Sequence, residues 1–123
     1  MKTYTKDNPP SLLAARKLMT YEMHVTSNSN NFPKKFRHSI VDNILNTTFE
    51  LMAHIRIAYE GYDKTDKIDH INQAIIKCEI VKDMLPCILE ALHPECSINY
   101  WNSLIDDVEK QLKDWKGSLM RRK

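Results

Sequence analysis

Histidines and acidic residues are the side chains best suited to metal or acid–base chemistry, and the sequence contains five histidines. Glu90 and His93 have the Glu-x-x-His spacing of di-iron helical bundles, but such sites need two of these pairs and two further carboxylates. The other nearby pair, Glu50 and His54, is four residues apart. We therefore predict no metal and no cofactor, and we interpret Glu90 and His93 as a chance pair at a helix end.

Motifs for nucleophilic or phosphate chemistry are also missing. No arginine is followed by a histidine five to seven residues later, the signature of helical ribonucleases of the HEPN type. The chain has only two glycines, too few for a glycine-rich phosphate loop. Cys78, Cys87 and Cys96 are spaced nine apart, a rotation of about 900° on a helix, so the first two face opposite sides. We interpret the three cysteines as reduced thiols. Because all of these motifs are missing, we predict no catalytic residue and no enzyme activity.

The remaining candidates for function are basic side chains. Lys34, Lys35, Arg37 and His38 lie at the start of a predicted helix, where positive charge opposes the helix dipole. A solvated surface explains such a run as readily as a phosphate-binding patch does. A patch would be supplemented by further basic residues: Arg56, Lys113, Lys116, Arg121, Arg122 and Lys123. The formal net charge is only +2, so a basic surface must come from local clustering.

Helices must position these side chains, because a chain this poor in glycine lacks the turns of an all-β or α/β domain. Prolines, acidic residues and Gly61 predict four helices in a single domain of residues 1–123, at about 11–25, 33–60, 64–92 and 97–119. Short connections predict an all-α, up-down-up-down antiparallel four-helix bundle. Pro86 predicts a kink in the third helix. No apolar run approaches the roughly 20 residues that span a bilayer, so we expect a cytoplasmic protein without a membrane anchor.

The last predicted helix has the most regular pattern. Its apolar residues alternate steps of three and four from Ile98 to Leu119, which is the a/d seam of helices that pack at a shallow angle. Trp101 and Trp115 share this face, since they are 14 residues apart. Their position fits either the core of the bundle or an interface between subunits.

Three segments together resemble a known family: Phe32–Arg37, Ile55–Tyr59 and Gln111–Lys116. The most specific parts are a Phe-Pro-Lys-x-x-Arg start and a terminal Gln-Leu-x-x-Trp. The order and spacing of these segments are similar to those of the accessory variability determinant proteins of diversity-generating retroelements, which belong with the four-helix-bundle proteins of ribosomal intervening sequences. The resemblance covers roughly residues 10–119.

The resemblance implies a homopentameric barrel of bundles that lacks polymerase activity. It also implies two partners, the retroelement reverse transcriptase and nucleic acid, chiefly the template-repeat RNA, with DNA as a second possibility. On the matching positions, Lys34, Arg37 and Arg56 would make charged contacts, and Pro33 and Trp115 would serve structure. Family members tend to be strongly basic, whereas the formal net charge of this chain is only +2. The alternative is a stand-alone interaction module of the intervening-sequence type.

Overall fold

The computed structural model describes residues 8–122, and this part of the chain is helical, without any strand. The prediction of an all-α protein with four helices is therefore confirmed for these residues. The helices are α1 at Pro10–Ser27, α2 at Asp42–Glu60, α3 at Lys64–Leu92 and α4 at Ile98–Arg121. All bounds lie within about two residues of the predicted ones except the start of α2, which comes nine residues later than predicted.

Local sequence explains where most of these helices begin. Pro10 occupies the first turn of α1, where its missing N–H would have no partner inside the helix. The Asp63 side chain caps α3 by accepting a hydrogen bond of 3.0 Å from the backbone N–H of Asp66. Ser97 caps α4 in the same way, at 3.0 Å from the N–H of Tyr100. Each cap satisfies a donor that the first helical turn leaves unpaired.

The segment before α2 differs from the expectation of one regular helix from residue 33. A 3₁₀ turn covers Lys34–Phe36, a π-helical turn covers Arg37–Val41, and regular α-helix starts only at Asp42. No side-chain cap precedes either turn. The wide π turn holds one residue more than an α turn, and both Ile40 and Val41 pack against the core there. Tertiary packing thus overrides the helical periodicity in this segment.

Each helix packs against two neighbours, α1 and α3 both contacting α2 and α4. The shared core takes its side chains from all four helices and from Phe32 in the first connection. None of the helices in residues 8–122 is both long and apolar enough to cross a bilayer. The largest fully buried apolar side chains are Trp101, Phe32, Leu18, Ile44, Leu51, Ile55, Ile71, Leu85, Ile105 and Leu112.

The two tryptophans of α4 both pack on the core but to different depths. Trp101 is completely buried, whereas Trp115 is half-buried at the margin of the core. The Trp115 ring meets Tyr59 edge-on, with centroids 6.4 Å apart, and the Lys67 ammonium lies 5.9 Å from its centre. Within one chain, the core explains both residues.

The third helix runs continuously from Lys64 to Leu92 through Pro86, which lies on its exposed side. It ends at His93, which adopts a left-handed conformation with φ of 49°. The thiols of Cys78 and Cys87 differ as the helical rotation predicts, since the first is buried and the second exposed, and both are free.

Candidate nucleic-acid interface

The segment Lys34–Arg37 forms an exposed basic turn at the entrance to α2, called the basic turn below. Phe32, just before it, is only 1% exposed, and its ring meets Trp101 at a centroid distance of 6.2 Å. Because the aromatic side chain anchors the chain in the core, the residues that follow emerge at the surface. The side chains of Lys34, Lys35 and Arg37 are all exposed.

Asn31 fixes the backbone that leads into the basic turn. Its buried side-chain amide donates to the carbonyl of Val25 at 3.0 Å. Its Oδ1 accepts from the backbone N–H groups of Glu95 and Cys96, at 2.8 and 2.9 Å. One side chain therefore joins the end of α1 and the connections α1–α2 and α3–α4. The backbone at the start of the basic turn is therefore held in place, which limits the conformational entropy that the chain loses when it binds a partner.

The charges of the basic turn are largely uncompensated. Within residues 8–122, neither Lys34 nor Arg37 has a carboxylate in salt-bridge range. His38, which follows the turn, lies 3.7 Å from Asp42. This end of the bundle is suited to binding anions.

A second basic group lies at the opposite end of the molecule. The 19 residues of α2 rise about 28 Å, so Arg56 is far from the basic turn. The Lys64 ammonium donates to the carbonyl of Arg122 at 2.6 Å, which brings the end of α4 next to the start of α3. Arg121 and Arg122 are exposed there, and Lys116 is half-buried. The predicted binding residues thus form two groups at two ends.

Two of the predicted binding residues are engaged in contacts inside the chain. Arg56 lies 3.4 Å from Glu60 and 6.0 Å from the centre of the Tyr59 ring. Lys113 lies 3.1 Å from Glu109, on the previous turn of α4. Both pairs partly neutralise the cation, so these side chains contribute less to an anion-binding surface than the basic turn does.

Lys113 belongs to an ion-pair network between α3 and α4 that sequence reasoning missed. The Lys82 ammonium sits 2.7 Å from Asp106 and 2.8 Å from Glu109, which is almost buried. Burial alone would raise the pKa of Glu109, but hydrogen bonds from Lys82 and Lys113 lower it below its usual value. This network holds two helices together and leaves little net charge on that face.

A buried polar cluster crosses the core between α1, α2 and α4. The carboxyl group of Glu22 is fully buried and accepts hydrogen bonds from Thr48 Oγ1 at 2.6 Å and from Trp101 Nε1 at 2.9 Å. Burial raises its pKa from 4.5 to about 7, although both hydrogen bonds act against this. Sequence reasoning missed this cluster, although the sequence contains a signal for it. Glu22 falls on the apolar face of α1, between Leu18 and Val25, and a carboxylate at such a position indicates a buried polar group.

Two histidines meet between α2 and α3. The Nδ1 atoms of His54 and His70 are 2.9 Å apart, and the ring centroids are 5.1 Å apart. Burial lowers the pKa of His54, and the charges of His70 and Lys77 lower it further. Lys77 itself pairs with Glu50 at 2.8 Å. Sequence reasoning missed this pair, because 16 residues and a turn separate the two histidines.

In residues 8–122, no three His, Cys, Asp or Glu side chains converge as metal ligands. His93, of the Glu-x-x-His pair, stands at the end of α3, and Glu90 is exposed. No protein-family model matches the chain, and neither a curated protein nor a solved structure matches it.

Proposed function

We propose that this chain is a non-catalytic, cytoplasmic accessory protein of a diversity-generating retroelement, which binds the reverse transcriptase and its template RNA. One observation carries the proposal. The Phe-Pro segment of the family-like motif buries Phe32, while Lys34, Lys35 and Arg37 are exposed. No carboxylate among residues 8–122 forms a salt bridge with these three cations. Unpaired cations on a rigid support are what phosphate binding requires.

The two basic ends suggest how nucleic acid would bind. On the α3–α4 face, Lys82 and Lys113 are neutralised by carboxylates, so phosphates gain little there. The basic turn has no such competition and is the primary RNA contact in this proposal. Arg121 and Arg122 provide a weaker second contact, about the length of α2 away.

The proposal includes an up-down-up-down bundle. Contacts between α2 and α3 run in opposite directions along the two helices, since Glu50 meets Lys77 while His54 meets His70. The contact between Lys64, which begins α3, and the carbonyl of Arg122, which follows α4, supports an antiparallel arrangement of these two helices as well.

The proposal also includes a homopentameric barrel, in which exposed apolar side chains would be covered by neighbouring subunits. Phe49 is 64% exposed and Met23 is 58% exposed. Others that remain at the surface of one chain are Leu13, Ile57, Tyr62, Ile76, Ile80, Leu89, Tyr100 and Met120. A ring would repeat each basic turn five times, so that a modest patch gains strength by avidity despite the low net charge.

The decisive experiment measures RNA affinity by fluorescence anisotropy at several salt concentrations. Changing Lys34, Lys35 and Arg37 together to Ala should weaken binding and reduce the slope of log K against log salt by about 2 to 3, since each lost phosphate contact removes roughly 0.7 to 0.9. The melting temperature should stay the same, because these side chains are exposed and lie outside the core.

The matched control removes the same three charges from the other end, by changing Lys116, Arg121 and Arg122 to Ala. This variant should lose less affinity than the basic-turn variant does. Equal affinities of the native chain and the basic-turn variant would refute the assignment of the RNA contact. RNA binding that does not respond to salt would refute the whole proposal.

Two further measurements test the partner and the assembly. The proposal requires a reverse-transcriptase gene beside this one, and the polymerase that it encodes should be retained by the immobilised native chain. Light scattering should give five times the chain mass of 14.4 kDa. A monomer at micromolar concentration would argue against the ring. Retention of other proteins, without any polymerase or RNA, would favour the stand-alone interaction module.

A further inference from the structure

We propose that His54 and His70 form an interhelical binding site for a divalent transition-metal ion of the Ni²⁺ type, with waters completing the coordination. This inference is independent of the proposed function, since it uses neither RNA nor the polymerase. It rests on the distance between the two Nδ1 atoms, on the access to them and on the charges around them.

The geometry suits two neighbouring positions of an octahedral ion. With metal–nitrogen bonds of about 2.05 Å and an angle of 90°, two ligand nitrogens lie about 2.9 Å apart, whereas a tetrahedral angle requires about 3.3 Å. The Nδ1 atoms of His54 and His70 are 2.9 Å apart. The ion would sit beside the line that joins them, roughly 1.45 Å away from it. The observed distance is compatible with such an ion, and binding would replace the hydrogen bond between the rings, with the shared proton moving to the Nε2 atom of its ring.

Access favours the same conclusion. Both imidazoles are half-buried, so an ion that keeps several waters can reach them from solvent. A ligating imidazole must be neutral, so binding of the ion should weaken as the pH falls.

The surrounding charges neither strongly attract nor repel a cation. Glu50 and Asp69 are the negative groups that act on His54, and His70 and Lys77 are the positive ones. Lys77 forms a salt bridge of 2.8 Å with Glu50, so part of its charge is compensated. Residues 8–122 offer no third protein ligand at this place, and the affinity should accordingly be that of a two-histidine site.

A bound ion would have a defined consequence for the fold. The ligands belong to α2 and α3, so coordination links these two helices where otherwise only one hydrogen bond joins the imidazoles. Because the unfolded chain does not hold the two rings together, an ion that binds the folded chain raises the free energy of unfolding. Ni²⁺ should therefore raise the melting temperature, and a chelator should reverse the change.

The test is a calorimetric titration with Ni²⁺, accompanied by NMR of the histidine side chains. Ni²⁺ avoids the thiol oxidation that Cu²⁺ would cause at the exposed Cys87. The native chain should bind one ion. Mutation of a residue that only supports a metal ligand typically weakens metal binding by at least about tenfold. His54→Ala and His70→Ala remove the ligands themselves, so each should weaken binding by at least that factor. The controls His24→Ala and Cys87→Ser should bind as the native chain does.

The NMR measurement needs no variant, so it remains valid if an alanine variant folds poorly. Paramagnetic Ni²⁺ should broaden the signals of His54 and His70 before those of His24 and His38. Broadening that begins at other histidines, or affinity unchanged in both ligand variants, would overturn the proposal. Absence of binding to the native chain at millimolar Ni²⁺ would also overturn it and leave the pair as a simple hydrogen bond.

Discussion

Replacing Glu22 with Gln should stabilise the protein above neutral pH. The native carboxyl group is fully buried, and burial raises its pKa from 4.5 to about 7. Ionising it in the folded chain at high pH therefore costs about 3 kcal/mol compared with ionising it in the unfolded chain. A neutral amide of similar shape avoids this cost.

The hydrogen bonds around Glu22 allow the amide to fit. The indole N–H of Trp101 can only donate, so the oxygen beside it must accept in every state. The other oxygen faces Thr48 Oγ1, and a hydroxyl can accept as well as donate. In the variant Glu22→Gln, the carbonyl oxygen can remain beside the indole while the amide nitrogen faces the hydroxyl. The protonated carboxylic acid of the native chain can pair in the same way, with its carbonyl oxygen accepting from the indole and its O–H group facing the Thr48 hydroxyl.

The sign of the pH dependence follows from linkage. Between pH 4.5 and about 7, the folded chain keeps a proton on Glu22 that the unfolded chain has released. The free energy of unfolding of the native chain therefore falls as the pH rises through this interval. Urea unfolding at pH 4.5 and pH 8 should show similar stabilities for both proteins at the lower pH. At pH 8 the variant should be more stable by up to about 3 kcal/mol.

The variant Glu109→Gln is the matched control, because it removes the same charge from a carboxylate whose pKa is lowered. Hydrogen bonds from Lys82 and Lys113 favour the ionised form of Glu109, so this substitution should destabilise the protein at neutral pH. Its effect should vanish as the pH falls through the lowered pKa. If Glu22→Gln proves less stable than the native chain at pH 8, or if its stability difference does not change with pH, the reasoning about the buried carboxyl group is wrong.

Two further predictions concern the packing of the ends of the bundle. Asn31→Ala should lower the free energy of unfolding by on the order of 2 to 4 kcal/mol, since it leaves backbone N–H groups of the α3–α4 connection unpaired. Urea unfolding measures this change. The control Asn30→Ala, at an exposed position, should change the free energy of unfolding by less than about 0.5 kcal/mol. Trp101→Ala should cost about 3 to 5 kcal/mol because this side chain is completely buried. Trp115→Ala should cost less, because Trp115 is half-buried beside Tyr59, and the reverse order in melting temperature would contradict the depths assigned to the two rings.

The sequence was sufficient for the helices but less so for the candidate site. Prolines and capping residues mark helix starts through local hydrogen bonding, so Asp63 and Ser97 could be interpreted without tertiary information. The basic residues were also recognisable by type. Their separation into two ends was not, because it depends on the length of α2 and on the contact of Lys64 with the chain after α4.

The sequence by itself determined that the described chain is helical, where its helices begin and end to within a few residues except at the start of α2, and which face of α4 is apolar. These properties depend on neighbours three or four residues away, and periodicity reports such neighbours directly. Only the tertiary structure decided the irregular turns before α2, the burial of Glu22 against Trp101, and the meeting of His54 with His70. Those features depend on which helix faces which, and the apolar pattern of a single helix contains no information about its partner.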